Sequence, residues 1–262
     1  MKRMMYRIAK LLNHNSFIGI KSGTKQECLI MGKGIVFGKK IGQTIEVPQD
    51  ARIYSLKELT DRGDAREIIN SVSPVCLELA NEILREAEAE FGDIDRSILF
   101  PIADHLDFAI RRLQRGEQIS NPLTEDIRIL FYKEYKVAGC IAPMLKEKFQ
   151  IELDEHETGY IALHVHSAIV DEKVSQAMEI ARTVRECISL VEKETGNSID
   201  VMSLAYNRLM NHVRYMVARA IHGEKLKMNL NDYMSVKFPE AFHASERICR
   251  EMEKRLGLPM PD

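Results

Sequence analysis

The chain reads as an α+β, multidomain protein: a small N-terminal antiparallel β domain followed by two all-α helical bundles, the second of them incomplete. Three observations lead there. Up to about residue 47, short apolar runs at strand spacing alternate with glycine and polar breaks. From Ala65 onward, apolar residues recur every three or four positions. One helical stretch, finally, is written twice. With 262 residues, 45% of them apolar, the chain can fill two or three separate cores.

Residues 6–12, 16–21, 27–31 and 43–47 predict strands, because they alternate or cluster Ile, Leu, Val, Phe and Tyr. The breaks between them are Asn13-His14-Asn15, Lys21–Thr24 and Gly32–Gly42. A sheet built from residues 1–56 buries little surface, so it is expected to pair with a second copy. Residues 57–64 read as a linker, 65–170 as a first helical bundle and 171–262 as a second. The first bundle predicts helices near 66–91, 95–115, 124–131, 133–149 and 157–170. Asp93 and Thr124 are candidate N-caps, Gly116 a helix stop, and Asn121-Pro122 a turn before the third helix. The second bundle predicts helices near 172–194, 199–222, 228–235 and 239–256, with Gly196 and Gly223 as punctuation.

The repeat pairs Ile102–Gly116 with Leu209–Gly223. Each copy has histidine fourth (His105, His212), an aromatic seventh (Phe108, Tyr215), arginine eleventh (Arg112, Arg219) and glycine last. A further aromatic, Tyr135 or Phe242, stands thirty residues after each histidine. The second copy reads as unfinished. His164 follows Tyr135 by 29 residues, and the matching place after Phe242 lies beyond Asp262. An exposed apolar groove in the second bundle is the expected consequence.

Composition narrows the function. Residues 1–56 carry a balance of +7 and the remainder −9, within an overall −2. A basic head on an acidic body suits a polyanionic partner, although ordinary lysine decoration explains the charge equally well. The five cysteines are scattered, odd in number and never spaced CxxC, which points to reduced thiols in a cytoplasm. Arg7 and Lys10 interrupt the only segment that resembles a signal peptide, and no run approaches the roughly 20 apolar residues of a membrane span. No cofactor is expected, and no metal: His156-Glu157 meets Tyr160 where HExxH needs histidine. No nucleophile-and-base pattern accompanies a histidine, so the expectation is not an enzyme.

Met31–Lys40, with Gly32, Gly34 and Gly38, invites a phosphate-loop reading that fails. It lacks Gly-Lys-Ser/Thr and GxGxxG spacing, and no helix follows. A hairpin bringing lysines to a phosphate backbone, with Phe37 free to stack on a base, is one account. A tight turn with Phe37 in the core is the other.

Residues 6–56 resemble the co-antiterminator RNA-binding domain of antiterminators regulated by the bacterial sugar phosphotransferase system. Ile8-Ala-Lys-Leu-Leu-Asn-His-Asn15 and Met31–Lys40 carry that likeness. The helical remainder resembles the same family's two regulation domains, through Asp104–Ile110, Asn121-Pro-Leu123 and Asp154–His164. Met31–Lys40 and His164–Ala168 lean toward the branch controlling glucose-transporter genes. The resemblance implies RNA contacts by Lys10, Asn13, Asn15, Gly32, Lys33 and Phe37. Lys33 stands where relatives commonly have arginine, keeping charge but not the planar fork. Gly38 stands where some have a side chain, which leaves contacts there in doubt.

Read from the residues alone, His105 and His164 are more often satisfied core or surface histidines. The resemblance implies that His105, His164 and His212 are phosphorylated by the phosphocarrier HPr or a sugar-specific enzyme II component. It also implies a homodimer gripping an mRNA hairpin that overlaps a terminator, without membrane insertion. Asp104 and Asp107 flank His105 whereas Asn211 and Arg214 flank His212, so a phosphoryl group would act with opposite sign in the two copies. A DNA-binding activator carrying the same helical modules is the alternative, against which the strand-rich head argues.

Overall fold

The computed structural model describes residues 4–57, 59–60, 63–170, 172–200, 203–224, 229–257 and 259–260. Parts of the expected linker and of two helices in the second bundle therefore lie outside the described residues.

The head is a five-stranded sheet of β1 (Met5–Leu11), β2 (Ser16–Lys21), β3 (Glu27–Met31), β4 (Thr44–Glu46) and β5 (Arg52–Ser55). Its order is β4-β1-β2-β3-β5, and every neighbouring pair is antiparallel. Period-two alternation sends Tyr6, Ile8, Phe17, Ile30 and Ile45 to one core, where Val36 and Val47 join them. Gly19 is required by packing, since a Cβ there would stand 2.7 Å from Ile30 and 2.8 Å from Phe17. β1 slips register between Ile8 and Lys10. Continued alternation from Tyr6 and Ile8 would turn Lys10 inward; the bulge leaves it exposed.

The sequence reading predicts no strand at β5. Its side chains alternate only over Ile53 and Tyr54, too briefly to register, yet it pairs with β3 from Cys28↔Ser55 to Met31↔Arg52. A minor hairpin, β6 (Leu59–Thr60) and β7 (Gly63–Asp64), leads to the helices.

The helical part holds α1 (Ala65–Ser71), α2 (Pro74–Phe91), α3 (Leu99–Gln114), α4 (Thr124–Leu130), α5 (Tyr132–Ala138), α6 (Ala142–Phe149) and α7 (Glu155–Ile169). It continues with α8 (Val174–Thr195), α9 (Leu204–His222), α10 (Asn231–Lys237) and α11 (Pro239–Leu256). The expected helix at 66–91 breaks at Ser73-Pro74. Pro74 cannot continue α1 but suits the first turn of α2, and the Ser73 hydroxyl accepts from the Val75 N–H. Asp95 caps the 3-10 turn that precedes α3, in place of the expected Asp93. Thr124 opens α4 as its first residue, and its hydroxyl donates back to the Asn121 carbonyl.

The chain forms two compact units, residues 1–120 with 136–171, and 121–135 with 172–262. Residues 121–135, expected within the first bundle, thus pack in the second unit. There Ile127, Leu130 and Phe131 are buried, and α4 lies on α8 and α9. Asp126 of α4 also meets Arg185 and the Tyr206 hydroxyl, at 3.6 and 3.4 Å. In the second unit Leu204, Tyr215, Leu230, Tyr233, Val236 and Phe238 are exposed. Among the described residues, no helix is long and apolar enough to cross a membrane, and no group of His, Cys, Asp and Glu is placed to hold a metal.

Candidate functional site

The expected RNA residues converge on one end of the sheet, where two connections are laced together. The Gly32 N–H donates to the Asn15 carbonyl at 2.8 Å, and the Val36 N–H to the His14 carbonyl at 3.2 Å. The Asn15 side-chain oxygen accepts from the Gly34 N–H at 2.8 Å. The Asn13 oxygen accepts from the Asn15 N–H at 2.8 Å and the Ser16 hydroxyl at 2.9 Å. Both asparagines therefore spend their carbonyls on shaping the loops. What they can offer a partner is their NH2 group.

Residues 33–38 form successive turns rather than the hairpin arm read from sequence, because β4 returns to β1 and not to β3. Gly34 and Gly38 take φ of +63° and +69° in these turns. Val36 is the buried anchor, at 3% exposure, and its neighbour Phe37 stands out at 72%. That settles the two sequence accounts of Phe37 against the core. The His14 ring lies edge-on to Phe37, centroids 5.4 Å apart, and Lys33, Lys39 and Lys40 are exposed around them. Gly32 has an ordinary φ, and a Cβ there would meet nothing nearer than 3.4 Å. Folding does not demand glycine at that place.

The other half of the set is engaged within the same unit. Lys10 Nζ donates to Asn70 Oδ1 of α1 at 2.8 Å. The amides of Asn13 and Asn15 donate to Glu78 Oε1 of α2 at 3.0 and 2.9 Å.

His105 on α3 and His164 on α7 are brought together, ring centroids 5.4 Å apart and both buried. His105 Nε2 lies 3.1 Å from Glu157 Oε2, and Glu157, fully buried, also pairs with Arg112 one helical face along α3. A pocket of about 400 Å³ opens beside His105, lined by Asp104, Phe108, Arg112, Ile119 and Tyr160. Asp107 faces elsewhere: it accepts from the Ser73 N–H at 2.9 Å and pairs with Arg111 at 2.5 Å. Burial, with Asp107 beside it, pushes the Cys76 thiol up to about 12.

His212 on α9 lies in the other unit and is exposed. Arg214, expected as a receiver for charge on His212, instead donates to the Leu130 carbonyl at 2.9 Å and covers the Phe131 ring at 5.0 Å. Glu157, Glu78 and Asn70 are the site residues that sequence reasoning omits. Arg112 carried a signal, its recurrence as Arg219 in the repeat.

Comparison with known proteins finds the same kinds of module, with the first helical span running unbroken through residues 121–135. The PRD domain family model matches residues 66–168 and 185–262, and the CAT RNA binding domain model matches 6–62. The chain is 26% identical over 252 residues to "Transcription antiterminator LicT" of Bacillus subtilis, covering 95% of this chain and 91% of that protein. It is also 26% identical to "Protein GlcT" of Staphylococcus epidermidis over 265 residues, covering 97% and 90%. With the "Beta-glucoside operon antiterminator" of Dickeya chrysanthemi it shares 26% identity, covering 92% and 87%. Among solved structures, the GlcT CAT-PRDI crystal structure superposes with a TM-score of 0.53 at 29% identity, over 63% of this chain and 99% of that one. The chain therefore belongs to the PRD family, with a CAT RNA binding domain in front of two PRD spans.

Proposed function

We propose that the chain is an RNA-binding transcription antiterminator of sugar-transport genes. Its β head, as a homodimer, grips an mRNA hairpin that overlaps a terminator, so that the terminator cannot form. The observation that carries this is Phe37, 72% exposed on a ledge of turns among lysines and held there by buried Val36. Exposing so large an apolar ring is costly unless a partner covers it, and an unpaired base offers the matching flat face. Lys10 and Lys33 meet phosphates, Gly32 lets the backbone approach closely, and the Asn13 and Asn15 amides donate to base edges or phosphates. The relatives named as antiterminators support the same reading.

Regulation runs through the histidines of the PRD spans, with the phosphocarrier HPr and a sugar-specific enzyme II component as donors. His105, His164 and His212 are the acceptors. A phosphoryl group on His105 would stand beside the Glu157 carboxylate, and its added charge would drive α3 from α7. The role is regulatory, not catalytic.

The test is a mobility shift of the full chain with an RNA hairpin and, in parallel, duplex DNA. RNA binding should fall steeply with salt, and Phe37→Ala should weaken it by about 5- to 150-fold, the worth of one stacked base. Preference for duplex DNA would favour the activator reading, although no helix is present among residues 4–57 to serve as a recognition helix. Mass mapping after incubation with the phosphoryl donors would locate the modified histidines.

A further inference from the structure

Resting on the reading of the head as the RNA-binding part, we propose that α1 and α2 mask half of that site, with the Glu78 carboxylate occupying the place of an RNA phosphate. Three donors converge on it. Asn13 and Asn15 give their amides to Oε1 at 3.0 and 2.9 Å, and Lys148 of α6 gives its ammonium to Oε2 at 3.2 Å. The two asparagine amides are donors that a phosphodiester would recruit, while Lys148 holds the other carboxylate oxygen from the helical side. The Glu78 side chain is only 17% exposed, so RNA cannot reach the asparagine amides while it stays. Beside it, Asn70 holds the ammonium of Lys10.

The contact is separable from what holds the head in place. Three other ties join the head to the same two helices: Tyr54 to Asn81 at 2.7 Å, Arg52 to Glu88 at 2.6 Å and Arg66 to Glu27 at 2.9 Å. None of them uses a residue of the RNA set. The division is therefore functional in form. Phe37 and Lys33 remain open to make first contact, Lys10 is exposed but tied to Asn70, and the amides of Asn13 and Asn15 become available only when α2 withdraws. Because α2 packs on α3 and α7, which carry His105 and His164, the cover shares its helix packing with the histidine pair. RNA and Glu78 compete for the same donors, and the apparent affinity of the full chain is lowered by the fraction of molecules that stay covered.

The experiment uses the full chain and a fluorescent RNA hairpin enriched on the wild-type chain from a pool with a random internal loop. Glu78→Ala should tighten binding about tenfold, and Glu78→Gln, which keeps an amide acceptor but loses the charge, about threefold. Tyr54→Phe, which loosens docking while Glu78 still holds the asparagine amides, should tighten binding less than Glu78→Ala does. Thermal unfolding checks the fold, and should Glu78→Ala not fold, Glu78→Gln carries the test. Unchanged or weaker binding by the Glu78 variants overturns the mask, as does an equal gain in Tyr54→Phe. Phe37→Ala separates the two failures: loss of binding there with no gain at Glu78 leaves the RNA reading standing and removes only the mask. Binding unaffected by Phe37→Ala removes the placing of the RNA site on the Phe37 ledge, and the mask with it.

Discussion

The two copies of the histidine turn share a helix, a histidine and a terminal glycine, but each has been fastened to a different kind of neighbour. In the first copy the sixth residue is Asp107, which accepts the backbone N–H of Ser73 at the start of α2. In the second it is Arg214, which donates to the carbonyl of Leu130 at the end of α4. An acid sits at a helix N-terminus and a base at a helix C-terminus, each complementing the unpaired backbone groups and partial charge found there. The charge reversal thus decides which end of a neighbouring helix the duplicated turn can hold. The fourth residue differs too. His105 is walled in by α7, whereas His212 stands in solvent.

The largest effect should come from breaking the wall. Glu157 is fully buried, and the Arg112 side chain it neutralises is 13% exposed. Glu157→Ala would leave that cation buried without its partner, at a cost of about 3–5 kcal/mol in urea unfolding of the first unit. Glu157→Gln, which keeps a hydrogen-bond acceptor, should lose less. A loss under about 1 kcal/mol would mean that water already solvates the Arg112 guanidinium. The comparison predicts no such sensitivity at His212.

Next in size are the two helix-end ties. Asp107→Ala and Arg214→Ala should each cost about 1–3 kcal/mol, as hydrogen bonds to charged groups do, and each should act on its own unit. Arg214 also forfeits its place over Phe131. Hydrogen exchange would locate the effects, faster at the first turn of α2 in one variant and at the end of α4 in the other. If both variants loosen the same helix, the contrast between the copies is wrong.

The sequence carried the repeat and most of the sheet, because both are local periodicities. It could not show the bulge at Ala9 that turns Lys10 outward, since alternation alone puts that lysine inside. Nor could it choose between a buried and an exposed Phe37. The choice was made by Val36, which fills the core and leaves its neighbour no room there. The Ser73-Pro74 break was legible from residue type, and the long apolar periodicity across it hid it. Glu78 and Glu157 were not legible as site residues, because their partners lie 52 to 70 positions away and only the fold makes them neighbours. The same holds for residues 121–135. Their pattern says helix, and only packing says which unit the helix joins.

A second pair of buried carboxylates extends the comparison. Glu157 is held by an arginine that is itself nearly buried, but Asp126 in the second unit relies on Arg185, whose side chain is 51% exposed. Burial raises Asp126 above the usual carboxylate range, and Arg185 and the Tyr206 hydroxyl only partly offset it. The folded state then keeps a proton that the unfolded chain has already released, so stability falls as pH rises from the ordinary value of 3.8 through the raised one. Above that window the ionised carboxylate is a net cost, which Asp126→Asn removes. The stability of Asp126→Asn relative to wild type should therefore be greatest near neutral pH and decline as pH is lowered toward the ordinary carboxylate value, read by urea unfolding between pH 4 and 7. The Tyr206 hydrogen bond favours the ionised form, so the slope reads burial against Arg185 and Tyr206 together. A relative stability that rises on acidification would show Arg185 outweighing burial, and the two units would then neutralise their inner carboxylates in the same way.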